Sequence, residues 1–214
     1  MDSKICYIFG AGEHSACDIR LAPDDIVIAA DGGFDYLKEL GLRADIVLGD
    51  FDSVINEQEL PGDFIRFPKE KDDTDMMIAL KEGLKRGFRI FRIYGGLGGR
   101  LDHTLANIQA LTYLTGNHAT GTLYCDSYAI SVITDGTISF GKDRPENVPE
   151  NLCSVFSLSD VSVGVTIRGL KYELDSVTLT NTFPLGVSNE FTGKKSYIHV
   201  DKGTLAVYWG TVSA

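Results

Sequence analysis

From residue 4 to about residue 116 the chain alternates short, continuous apolar runs with segments whose apolar positions recur at helical spacing. The runs are ICYIFG (5–10), DIVIAA (25–30), ADIVLG (44–49), DFIRF (63–67) and RIFRIYGG (89–96). They lack the polar alternation of a half-exposed strand, as strands covered on both faces do. FDYLKELG (34–41), TDMMIALKEGLKRG (74–87) and LDHTLANIQALTYLTG (101–116) read as helices. In the second, Met77, Leu80 and Leu84 fall on one face, and Gly87 stands where a helix stops. Strands alternating with helices predict a parallel, right-handed wound sheet.

After about residue 120 the period becomes two. SYAISVIT, GVTIRGL, DSVTLTN, SYIHV and GTLAVYW are rich in Val, Ile, Thr and Tyr and are separated by Gly, Asp, Asn and Pro turns. GKDRPENVPEN (141–151) is the longest polar loop. The fold class expected is α/β: an N-terminal parallel-sheet domain over 1–125, then a C-terminal antiparallel β-sandwich over 126–214.

Composition removes whole classes of function. With 214 residues the chain can bury a sizeable core. The 30 acidic against 20 basic residues give a net charge of −10, which argues against a nucleic-acid partner that needs a basic face. An acidic protein binds phosphates only with the help of cations or a few well-placed Lys and Arg. Cys6, Cys17, Cys125 and Cys153 show no metal-ligand spacing and read as reduced, mostly buried thiols. The first residues hold too short an apolar run for a signal peptide, and no stretch approaches the ~18 apolar residues of a membrane span. A cytoplasmic, soluble protein without a membrane partner is expected.

In an open parallel sheet, ligands bind beyond the carboxyl ends of the strands. The unusual residues fall there: ADGG (30–33), GDFDS (49–53), KEKDDTD (69–75) and GGLGGR (95–100) each follow an apolar run. In an extended segment Asp50 and Asp52 point the same way, about 7 Å apart, with Phe51 on the opposite side. Two carboxylates so placed repel unless a cation lies near. Mg²⁺ is the expected ion, since it takes oxygen ligands while bridging carboxylates to substrate phosphates. The alternative is a turn in which both aspartates bond backbone amides. Asp72, Asp73 and Asp75 add a second acidic group, for which helix capping by Asp72 or Thr74 is the competing account. The glycines of GGLGGRLDH let backbone N–H groups approach an anion, with Arg100 beside them and a helix opening near Leu101. The stretch is neither a Walker A sequence nor a clean GxGxxG, and Asp102 and His103 have the plainer readings of an N-cap and a surface histidine.

The second half offers different chemistry. GLKYEL places Tyr172 after a strand, and FPLGVSNEF places Ser188, Asn189 and Glu190 in a polar turn between apolar flanks. An aromatic face with amide and hydroxyl groups suits a flat heteroaromatic ligand, more so a cationic one. Ordinary turn chemistry with a packed tyrosine is the alternative.

Taken in order, ADGG, GDFDS, KDDTD, GGLGGRLDHTLAN, GLKYEL and GVSNEF resemble the motif series of the thiamine pyrophosphokinases, from about residue 28 to 209. The resemblance implies a Mg²⁺-dependent transfer of pyrophosphate from ATP to the hydroxyethyl group of thiamine, giving thiamine diphosphate and AMP. It implies an N-terminal ATP-binding catalytic domain, a C-terminal thiamine-binding domain, and a homodimer with active sites between the subunits. By motif matching, Asp50, Asp52 and Asp75 hold or surround the metal, with Asp72 close by as the fourth catalytic carboxylate. Asp31, Arg100 and Asp102 lie around ATP, and Tyr172, Ser188 and Asn189 around thiamine. Some members of the family carry Trp where this chain has Tyr172. Two other readings of the same residues are a metal-dependent phosphohydrolase and a non-catalytic nucleotide or thiamine sensor.

Overall fold

The computed structural model describes residues 4–13, 19–49, 64–66, 72–141 and 151–210. Five of the expected apolar runs become strands: β1 (Ile5–Phe9), β2 (Ile26–Ala30), β3 (Ile46–Gly49), β4 (Phe64–Arg66) and β5 (Ile90–Tyr94). A sixth strand, β6 (Thr120–Tyr124), joins them. All neighbouring pairs among the six are parallel, in the order β6-β5-β1-β2-β3-β4. The continuous apolar character follows from the layers. Cys6 and Ile8 turn to one face, where Ala79 and Leu80 of α2 (Asp75–Lys85) and Leu111 and Leu114 of α3 (Leu101–Gly116) cover them. Tyr7 and Phe9 turn to the other face, against Tyr36 and Leu37 of α1 (Gly33–Glu39). A strand buried on both sides has no use for polar positions.

Each helix stops through the same backbone device. At the end of α2, Gly87 adopts φ +82, its N–H bonds the Leu84 carbonyl at 2.9 Å, and Phe88 N–H bonds the Gly83 carbonyl at 3.1 Å. This left-handed cap satisfies carbonyls that would otherwise lack partners. Gly41 does the same after α1 and His118 after α3. The buried face of α2 runs through Met76, Ala79, Leu80 and Gly83, with Met77 and Leu84 at its margin. Gly83 is required there, because a Cβ would lie 2.6 Å from Phe91 Cε1 and 2.9 Å from Cys6 Sγ. Small size, invisible to a count of apolar residues, sets how closely α2 approaches the sheet.

The second half is built from β7 (Tyr128–Thr134), β8 (Thr137–Phe140), β9 (Leu152–Ser157), β10 (Val161–Arg168), β11 (Leu174–Thr180), β12 (Gly186–Glu190), β13 (Ser196–His199) and β14 (Thr204–Gly210). Four of these, β12-β9-β14-β7, continue the first sheet as antiparallel strands, so that among the described residues it has ten strands. The join is direct: β6 pairs with β7 through Thr122↔Ser131, Leu123↔Ile130 and Tyr124↔Ala129. The expected division at 125/126 therefore falls between two hydrogen-bonded neighbours. The other four form a separate antiparallel sheet, β11-β10-β13-β8. Phe140, Val165, Ile167, Leu179 and Ile198 from it share a core with Cys153, Val155, Leu205, Val207 and Trp209 of the large sheet.

Two expectations change here. Ser188, Asn189 and Glu190 do not form a turn; they lie in β12, which pairs with β9. The strand hides in the sequence because it is irregular: its register shifts between Gly186 and Asn189, and Ser188 sits at φ +60. A bulge of this kind interrupts the two-residue alternation by which a strand is recognised. β9 was also unmarked, since LCSVFS is nearly all buried on one flank and exposed at Leu152 and Phe156. Among the described residues, Cys6, Cys125 and Cys153 stand outside any disulfide, and burial pushes the Cys6 thiol far above its ordinary range. No helix among the described residues is long and apolar enough to cross a membrane.

Candidate functional site

The strand order reverses beside β1. The chain runs outward through β2, β3 and β4, and α2 then returns it to β5 on the other flank of β1. Loops leaving β1 and β5 thus diverge at a topological switch point, where open α/β sheets place their ligands. A cleft of about 860 Å³ opens there, lined by the exits of β1, β2 and β5 and by the first turns of α2 and α3.

Its floor is glycine backbone. Gly10 N–H bonds the Tyr94 carbonyl at 2.8 Å, Gly12 N–H bonds Gly95 at 2.7 Å, and Glu13 N–H bonds Leu97 at 3.0 Å. These bonds lace the β1 exit to the β5 exit. Gly95 makes the approach possible, for at φ +62 a Cβ would stand 2.2 Å from the Gly10 carbonyl oxygen. Asn107, buried in the second turn of α3, donates its Nδ2 to the Gly96 carbonyl at 2.7 Å and ties the helix to the same loop. The GAGE segment (10–13) and Asn107 were not among the sequence candidates. A glycine pair directly after an apolar run, matching ADGG and GGLGGR, is the signal that marks the former.

The side chains on the walls carry charge of both signs. Asp31, Asp73, Asp75, Arg100, Asp102 and His103 all line the cleft. Asp31 leaves β2 at φ +51, and its N–H bonds the Leu48 carbonyl at 2.7 Å, so the β2 and β3 exits meet at the rim. Thr74 is the N-cap of α2, its Oγ1 accepting from Met77 N–H at 3.2 Å. That places Asp75 in the first turn, next to the positive end of the helix. Asp73 is held by Lys81 Nζ at 2.6 and 2.8 Å, an ion pair at the surface. Asp72 is exposed and is absent from the lining.

Arg100, rather than Asp102, occupies the N-cap position of α3. Its Nη2 and Nε donate to Asp102 at 2.6 and 3.1 Å. Those bonds hold the Asp102 carboxyl below its usual range, helped by the His103 amide, and they raise Arg100 in turn. Both side chains are largely in water, so the pair adds little stability and is easily exchanged for another partner. Asp50 and Asp52, the pair expected beside the metal, lie outside the described residues. Among the described residues no three His, Cys, Asp or Glu side chains cluster closely enough to hold a metal ion.

Tyr172, Ser188 and Asn189 are gathered elsewhere. Asn189, buried in β12, accepts from Tyr172 N–H at 2.9 Å and donates to the Tyr172 carbonyl at 2.6 Å. A side-chain amide thus replaces a missing strand partner and fixes the β10–β11 loop. The tyrosine ring is left 59% exposed, with Lys171 Nζ 5.5 Å from its centre and paired to Glu190 at 2.7 Å. Ser188 N–H bonds Ser154 Oγ at 3.0 Å and its side chain faces solvent. None of the three lines the glycine cleft.

Comparison with known proteins follows this division. Residues 20–122 match the thiamin pyrophosphokinase catalytic domain, and residues 137–205 match the thiamin pyrophosphokinase vitamin B1 binding domain. The thiamine pyrophosphokinase of Bacillus subtilis is 30% identical over 190 residues, covering 86% of this chain and 86% of that protein. The crystal structure of the B. subtilis thiamine pyrophosphokinase superposes with a TM-score of 0.83 at 25% identity, over 98% of this chain and all of that one. That of a thiamin pyrophosphokinase family protein from Enterococcus faecalis gives 0.80 at 27% identity, over 98% and 100%. With both domains matched in order and the fold shared along nearly its whole length, this chain belongs to the thiamine pyrophosphokinase family.

Proposed function

We propose that the protein is a thiamine diphosphokinase, transferring pyrophosphate from ATP to the hydroxyethyl oxygen of thiamine. The observation that carries this reading is the meeting, at one switch point, of a glycine-backbone floor, the opening turn of α3 with Arg100, and the carboxylates of Asp31 and Asp75. A polyphosphate needs the first two and its accompanying cations need the third. The donors facing the cleft are hard oxygens, which fit Mg²⁺ and not a softer metal. Asp75, with Asp50 and Asp52, would hold the ion, and bound Mg²⁺ would supply neutralisation of charge at the phosphates.

The chain's own part is binding and alignment. Attack of the thiamine oxygen on the β-phosphorus forms one P–O bond, breaks that to the oxygen shared with the α-phosphorus, and releases AMP. Such a transfer depends on in-line placement far more than on covalent help. The glycine amides and Arg100 bind phosphate oxygens, and Arg100 reaches them by giving up its exposed pairing with Asp102. Asp31 and Asp102 lie around the nucleoside. Tyr172, Ser188 and Asn189 hold thiamine, the ring exchanging Lys171 for the thiazolium cation as its cation–π partner.

Because the two groups stand apart in one chain, the reading includes a homodimer in which one subunit's cleft faces the other's Tyr172 group. Phe183, Leu185 and Val187 leave 66%, 51% and 44% of their surface exposed near that group, apolar area that a second copy would cover. The test is the product. Protein with ATP, Mg²⁺ and thiamine yields AMP stoichiometric with thiamine diphosphate. ADP with thiamine monophosphate overturns the reading, phosphate release without thiamine points to a phosphohydrolase, and tight binding without product points to a sensor.

A further inference from the structure

Glu13 lies on the glycine loop itself. Its Oε1 accepts from the Gly99 N–H at 3.2 Å. The carboxylate rests against Gly98, where a Cβ would stand 2.2 Å from Glu13 Cδ and 2.5 Å from Oε2. Glu13 is exposed, but the main chain beneath it is tethered: Glu13 N–H bonds the Leu97 carbonyl and Gly12 N–H bonds Gly95. Gly98 and Gly99 sit at φ +77 and +60, a left-handed pair that bends the loop around the carboxylate. A carboxylate is an acceptor-only anion, as a phosphate is, and consecutive amides in a turn form an anion-binding concavity.

We propose that Glu13 is an internal stand-in for a phosphate group, occupying the Gly98–Gly99 loop until a phosphate-bearing ligand displaces it. The proposal rests on the reading that this cleft takes a polyphosphate. Glu13 opposes that ligand in two ways: it holds an amide donor the phosphate would use, and its charge repels a polyanion at contact range. Loss of the carboxylate therefore tightens phosphate binding. A brace that merely shapes the loop would act in the opposite sense, since its removal loosens the site.

The experiment is calorimetric titration of wild-type protein, Glu13→Gln and Glu13→Ala with MgATP and with inorganic pyrophosphate, alongside steady-state kinetics. Glu13→Ala binds both about fivefold more tightly, the scale of one exposed charge-assisted hydrogen bond. Glu13→Gln, which keeps the shape and loses the charge, shifts affinity in the same direction by a smaller factor and covers the case in which the alanine variant fails to fold. KM for ATP falls while KM for thiamine stays constant. Unchanged or weaker phosphate affinity in both variants, with wild type binding normally, overturns the role of Glu13 and leaves the cleft's assignment standing. If wild type and variants alike ignore MgATP and pyrophosphate, the polyphosphate reading falls and the stand-in falls with it.

Discussion

The two halves of this molecule place their chemistry by different means. In the parallel half the cleft is made of main chain: glycine amides and carbonyls, helix openings, and strand exits bonded to one another. Side chains such as Asp31 and Arg100 are mounted on that frame and line the cleft. In the antiparallel half side chains join the frame: Asn189 makes two bonds to the Tyr172 main chain and Glu173 accepts from Gly169 N–H, beside the main-chain bond from Lys171 N–H to the Glu190 carbonyl. Parallel strands end together at one edge, so their loops meet without further help. Antiparallel strands end alternately at opposite edges, and a site there must be tied by hand.

The contrast predicts where each half breaks. Gly95→Ala gives the largest effect: the left-handed conformation and the collision with the Gly10 carbonyl together cost about 3 kcal/mol or more, read from the urea midpoint. The same change at Gly99, where nothing lies within 4 Å of a Cβ, costs only the conformational part. Asp75→Asn, a change to a mounted group and not to the frame, lowers kcat about a hundredfold. Its effect on unfolding stays within the ~1 kcal/mol of a helix-end charge. Asn189→Ala costs about 1–2 kcal/mol in stability, and raises KM for thiamine while leaving KM for ATP in place. If both KM values move together, the two groups are not separate devices. The smallest change is Thr74→Ala, which removes the α2 cap for about 1 kcal/mol, seen as a lower melting temperature.

Much of the parallel half could be read from the chain, for a reason visible in its layers. Two-sided burial makes β1, β2 and β3 continuous apolar runs, β5 departs from that only at the exposed Arg92, and helical spacing with Gly87 marks α2 and its end. The acids and glycines flanking those runs point to one edge of the sheet, and Asp31, Asp75, Arg100 and Asp102 line one cleft there. Glu13 carries no local signal because its contacts are with residues 98 and 99, some 85 positions away. In the antiparallel half, polar residues are structural: Ser188 and Asn189 look like a turn because a bulged strand and a turn call for the same residue types. The continuation of one sheet through β7, β14, β9 and β12 is likewise a matter of long-range pairing that local rhythm does not encode.

The direct pairing of β6 with β7 has a mechanical consequence. A ladder of backbone hydrogen bonds crosses the place where a swivel would have to be, and it opposes rotation of one half against the other. The large sheet thus serves as a stiff splint that fixes the spacing between the glycine cleft and the Tyr172 group.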